Sequence, residues 1–180
     1  EARREWFAYL RGKSGSELEL AAHVASTHQW HDMAILTIAR AGKFDALDVR
    51  FPNPYPALML RASNRYQVAP YWVLAVTRRE SSFNAKARSP VGARGLMQIM
   101  PATGRGISKQ LNAPLASTEA LYRPALNIRF GTNYLATLSK QMGHHLVLAT
   151  ASYNAGPHRI KRWLPSERAL EADIWIDTIP

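Results

Sequence analysis

Glu80 is the residue of this chain best placed for acid–base chemistry. It lies in the stretch from Tyr71 to Pro101, YWVLAVTRRESSFNAKARSPVGARGLMQIMP. Val73, Val76, Thr77 and Glu80 recur at intervals of three, one and three, which puts the acid on the same helical stripe as the valines. A carboxylate on an apolar helix face is partly stripped of water, so its charged form is disfavoured and its pKa rises. Such a group can hold a proton near neutral pH and give it away. The competing reading is an exposed glutamate paired with Arg78, Arg79 or Lys86. Against that reading, residues 81 to 166 hold eleven Lys and Arg and a single acid, Glu119.

Composition excludes other chemistries. With no cysteine, the chain has no disulfide, no thiolate nucleophile and no cysteine-based metal site. His28 and His31 lie three apart and His144 and His145 are adjacent, but no acid clusters with them, so neither a metal nor another cofactor is expected. The alternating-aspartate calcium loop is also absent. A net charge of +10 favours a polyanionic partner, which by charge alone could be nucleic acid, an anionic membrane face or a carboxylate-bearing wall polymer. No helix-turn-helix or aromatic-sheet signature supports a nucleic-acid partner. No apolar run reaches membrane-spanning length, and a chain opening on Glu1 reads as a mature or excised form.

The elements that must position Glu80 are helical throughout, so the expected class is all-α or nearly so. Residues 1–50 read as short helices: REWFAYLRG stops at Gly12, and Ser16 with Glu19 has the form of a capping box. His31 to Arg40 forms a third helix closing at Gly42. Three prolines in FPNPYP mark a boundary, dividing a helical linker segment, 1–50, from a second domain, 51–180. Pro70 suits the first turn of the helix that carries Glu80. A loop from Ser81 to Gly95 lies over its end, and a new helix enters at Pro101. Pro124 opens the longest helix, where Gly131 is expected to admit another backbone closely. HLVLATASYN and HRIKRWL follow as helices around Gly156-Pro157, and the one candidate for a strand pair is near Asp173 to Ile179.

Glu80-Ser81, SPVGARGLMQIMP (89–101) and ASYNAGP (151–157) together resemble the catalytic domain of the soluble lytic murein transglycosylases, a lysozyme-like family. The likeness covers roughly residues 51 to 180, and the helices before it resemble the end of the family's α-superhelical region. The resemblance implies a periplasmic enzyme that binds peptidoglycan glycan strands. It would cleave the β-1,4 bond between N-acetylmuramic acid and N-acetylglucosamine without water, leaving 1,6-anhydro ends. Glu80 would act first as general acid and then as base, with the sugar's N-acetyl group stabilising the cationic intermediate. A lysozyme-type hydrolase and an inactive wall-binding fragment are the alternatives. The number of subunits stays open.

Within that resemblance, Ser89 falls where the family has a serine near the catalytic carboxyl, although serine before proline is also ordinary turn chemistry. Gln98 would hydrogen-bond the sugar or the glutamate. Met97 and Met100 would offer adaptable apolar contact, with core filling as the plainer reading. Tyr153 and Asn154 would fix Glu80 and an N-acetyl group; the alternative is a buried tyrosine beside a helix-ending asparagine. Arg88, Arg94, Arg123, Arg159, Lys161 and Arg162 would form a basic surface for wall carboxylates. Arg79 replaces the family's usual glutamine and is expected to point away from the carboxyl, and His158 stands where glycine is common. The family's ETRxYV-type motif would follow the final Ile-Pro, so the expectation is either a chain cut at that point or a cleft without that wall.

Overall fold

Five helices begin on a proline: α5 (Pro56–Tyr66), α6 (Pro70–Ser81), α7 (Pro101–Gln110), α8 (Pro124–Gln141) and α10 (Pro157–Trp163). The first helical position has no intrahelical N–H partner to lose, and proline's fixed φ is already helical there. The computed structural model describes residues 2–166 and 168–180. The remaining helices are α1 (Ala2–Tyr9), α2 (Gly15–Thr27), α3 (His31–Arg40), α4 (Leu47–Arg50), α9 (Leu146–Ala155) and α11 (Ala172–Asp177), with a 3-10 turn at Thr118–Tyr122. Among the described residues the extended pairing consists of isolated bridges, Arg88 with Arg94 and Arg94 with Ile99.

Two local expectations need correction. The capping box of α2 is formed by Ser14 and Glu17, not by Ser16 and Glu19. Ser14 has the extended backbone that a cap requires, Ser16 is already inside the helix, and Glu19 pairs instead with Lys43 at 3.0 Å. The segment near Asp173 to Ile179 is helical. Trp175 is buried there and its indole N–H donates to the Trp163 carbonyl at 3.0 Å, which holds α11 against α10.

The main core gathers Val73 and Val76 of α6, Phe83, Leu96, Met97 and Ile99 of the following loop, and Ile128, Phe130 and Leu135 of α8. Ile35 of α3 is part of this same core. A separate cluster, including Ala22, Met33, Ile38 and Val49, joins α2, α3 and α4. A third, Met142, Ala149, Ile160 and Trp175, joins the end of α8 to α9, α10 and α11. Among the described residues no helix is long and apolar enough to cross a membrane.

Candidate active site

Glu80 occupies the last turn of α6. The helix ends at Ser82, whose N–H bonds the Arg78 carbonyl, and both Ser82 and Phe83 are left-handed, with φ of 49° and 67°. Two successive non-glycine residues in that region cost ~1–2 kcal/mol each, so the surroundings must hold them. Phe83 is buried against the core at 3% exposure. Asn84 Nδ2 donates to Asp32 Oδ2 of α3 at 2.9 Å, and Asn84 Oδ1 accepts from the Lys86 N–H. The hydroxyl of Ser81 donates to the Leu96 carbonyl at 2.7 Å.

That last bond ties α6 to the loop carrying Gly95, Met97 and Gln98, and the loop is tied in turn to α8 by Asn127. This fully buried amide donates to the carbonyls of Arg94 (2.9 Å) and Leu121 (2.7 Å) and accepts from the Met97 N–H (2.7 Å). Gly95 is left-handed, with φ of 76°, and a β-carbon there would stand 2.3 Å from the Leu121 carbonyl oxygen. Glycine at 95 is therefore required twice over. Gly131 also admits a close neighbour, but the neighbour is the Met97 side chain, not a backbone. A β-carbon at 131 would lie 2.3 Å from Met97 Sδ and 2.7 Å from its Cβ.

Glu80 faces a groove of about 580 Å³ between α6, α9 and α11, which Trp72, Arg79, Leu146, Tyr153, Asn154 and Ile176 also line. The half-buried carboxyl has no hydrogen-bond or ion-pair partner among the described residues. Its pKa is raised by burial, opposed by the Arg79 charge. Arg79 thus lines the same groove instead of pointing away, because a side chain of its length spans the angle between neighbouring helix positions. The other acids show what a satisfied carboxylate looks like. Glu17 accepts from the Ser14 backbone and from Lys13 and Ser14, which lowers its pKa to about 2, and Glu119 is paired with Arg94.

The structure brings Tyr153 and Asn154 together with Glu80. The Tyr153 hydroxyl donates to the Met97 carbonyl at 2.7 Å, and its ring lies 5.5 Å from that of Tyr134. Burial, reinforced by the Glu80 charge, pushes the phenol well above its ordinary pKa and keeps it neutral. Met97 is fully buried, so it backs the site from the core and cannot touch a ligand, whereas Met100 is 38% exposed. Gln98 is left-handed, with φ of 46°, and its amide nitrogen donates to the carbonyls of Gly95 (2.8 Å) and Ala87 (3.2 Å). Ser89 Oγ accepts from the Ala93 N–H at 3.0 Å, closing a turn, and Ser89 does not line the groove. Arg94 is engaged with Glu119 and is largely covered, so it drops out of the basic surface. Arg88, Arg123, Arg159, Lys161 and Arg162 are exposed.

Sequence reasoning missed Asn127 and Asp32. An asparagine inside a helical pattern, ALNIRF, was the available signal for the first, since asparagine is unfavourable there unless its amide is used. Asp32 carried no local signal.

The family model described as the transglycosylase SLT domain matches residues 57–176, and that of the soluble lytic murein transglycosylase L domain matches residues 1–47. The soluble lytic murein transglycosylase of Escherichia coli K12 is 35% identical over 181 residues, covering 99% of this chain. The lytic transglycosylase Slt of Pseudomonas aeruginosa, solved as an inactive glutamate-to-glutamine mutant, is 43% identical with a TM-score of 0.95 over 98% of this chain. The 70 kDa soluble lytic transglycosylase of E. coli gives a TM-score of 0.91 at 36% identity over 99% of this chain. The chain spans 28% of the first relative and 29% of each of the two solved chains.

Proposed function

The chain belongs to the soluble lytic murein transglycosylase family, and on that premise we propose that it cleaves the β-1,4 bond between N-acetylmuramic acid and N-acetylglucosamine in peptidoglycan without water. Glu80, holding its proton through burial, protonates the glycosidic oxygen as the bond breaks. The carboxylate so formed then takes the proton from the muramyl C6 hydroxyl as that oxygen attacks C1, leaving a 1,6-anhydro ring. The substrate's own N-acetyl oxygen stabilises the cationic centre between the two steps.

The observation that carries this reading is the solitude of Glu80. Hydrolytic glycosidases place a second carboxyl roughly 5–9.5 Å from the acid, and Glu80 is the sole carboxylate among the described residues that line the groove. An intramolecular attack needs no second carboxyl, because the sugar supplies both nucleophile and stabilising group. Asn154, exposed at the end of α9, is assigned to the N-acetyl group. Tyr153 holds the floor of the site through the Met97 carbonyl. Gln98 and Met100, which like Ser89 do not line the groove itself, are assigned to the sugar from the loop that Tyr153 ties to it, while Ser89 and Met97 shape that loop from behind. The exposed arginines and Lys161 face the lactyl and peptide carboxylates of the wall polymer, consistent with action in the periplasm.

Mass spectrometry of soluble products released from purified peptidoglycan tests the proposal. Anhydromuropeptides are expected. Products heavier by one water would establish a hydrolase, and bound sacculi without any products would establish a binding fragment.

A further inference from the structure

Residues on both sides of Glu80 are gripped from the helical segment that precedes the proline-rich boundary, with Phe51 at the boundary itself adding to the grip, while Glu80 itself is not. Before it, Arg78 Nε donates to the Arg50 carbonyl at 2.6 Å, and the guanidinium lies 4.6 Å from the centre of the Phe51 ring. After it, His31 stands edge-on to Phe83 with ring centres 6.4 Å apart. Asp32 accepts from the Asn84 amide at 2.9 Å. The Asp32 side chain is only 14% exposed, and Arg3, itself exposed, forms a long ion pair with it at 3.9 Å. One turn along α3, Ile35 enters the core that contains Val73 and Val76, so α3 is a fixed support.

Asn84 passes this support on. Its backbone N–H bonds the Ser81 carbonyl at 3.0 Å, closing the left-handed turn through Ser82 and Phe83 directly after the acid. Left-handed residues of this kind persist only where their surroundings over-determine them, and the Asp32–Asn84 bond reaches the turn from outside α6. We propose that Asp32 is a positioning residue for Glu80, so that the helical linker completes the active site and does not merely tether it. This rests on the reading of Glu80 as the acid. Release of the turn would let the last turn of α6 move, and a displacement of ~1 Å at a reacting group can cost on the order of 100-fold in rate.

The test uses the full 180-residue chain, whose own turnover of purified peptidoglycan to anhydromuropeptides is established first. Failure at that stage removes the proposed function and not this inference alone. Initial rates are then measured for Asp32→Ala, Asn84→Ala, the double variant and Asp32→Asn, well below the melting temperature of each. The expected result is a fall in kcat of about 10- to 100-fold for Asp32→Ala with KM within about twofold. The double variant should be no worse than Asn84→Ala, and Asp32→Asn, which retains an acceptor oxygen for the Asn84 amide, should recover most of the rate. Asp32→Ala turning over at the parental rate with only a lowered melting temperature would overturn the proposal. So would equal losses in Asp32→Asn and Asp32→Ala, or a change confined to KM.

Discussion

The Ser81 hydroxyl donates to the Leu96 carbonyl at 2.7 Å, joining the residue after Glu80 to the loop that carries Met97 and Gln98. Removing it leaves a carbonyl without its partner, which costs roughly 1–2 kcal/mol. Ser81→Ala is therefore expected to lower stability by that amount in urea unfolding. Peptidoglycan turnover should fall more than binding does, because the loop and the acid lose their common register.

Burial raises the Glu80 pKa above its ordinary value of 4.5, and the sign of the stability effect follows from linkage. Between the unfolded and folded pKa values the native state binds the extra proton, so stability present below the unfolded pKa is lost as pH rises through the folded one. Glu80→Gln removes this penalty. Relative to the parent, the variant should be more stable at pH 8 than it is at pH 4, as thermal melts at the two values would show. Its turnover should fall on the order of 100- to 10,000-fold, since the amide has no proton to give, with glycan binding retained.

Asn127 satisfies three backbone groups of other segments with one amide. Asn127→Leu would leave the Met97 N–H and the Leu121 carbonyl unpaired in the core, while the Arg94 carbonyl keeps the Ile99 N–H, and is expected to cost about 2–5 kcal/mol, more than a typical core substitution. Chemical denaturation measures the loss directly, and a change below about 1 kcal/mol would show that the loop holds without its amide.

Gly131→Ala would force its new methyl into Met97, at 2.3 Å from Sδ. Overpacking of this kind costs about 1–3 kcal/mol. A second substitution, Met97→Ala, opens the space, so the pair should be less destabilised than the sum of the two singles. A double-mutant cycle on unfolding free energies gives the coupling.

The sequence by itself determined the helical class, the helix starts at Pro70, Pro101 and Pro124, the stripe that places Glu80 against Val73 and Val76, and the three motifs of the family. These follow from rules acting over one helical turn: φ fixed by proline, side chains facing alike at three and four residues, and glycine or a left-handed residue at a stop. The same rules misplaced the α2 capping box by two residues, because Ser14 and Ser16 both have a glutamate three positions on and only backbone geometry chooses between them. They also allowed a strand where the packing of Trp175 favours a helix.

Tertiary structure alone decided which side chains the site uses and how. Tyr153 meets Met97 across 56 residues, Asn84 meets Asp32 across 52, and Asn127 reaches back 30 to Met97. Met97 and Met100 read alike in the motif, yet one is sealed in the core and the other exposed. Glu80 was legible as an acid from its stripe, but its freedom from ion pairs was not. Arg78, Arg79 and Lys86 were all near in sequence, and the fold turned Arg78 onto Phe51 and Arg79 into the groove. Pairings over such separations are selected by which surfaces bury together when the helices pack, and no local spacing encodes that choice.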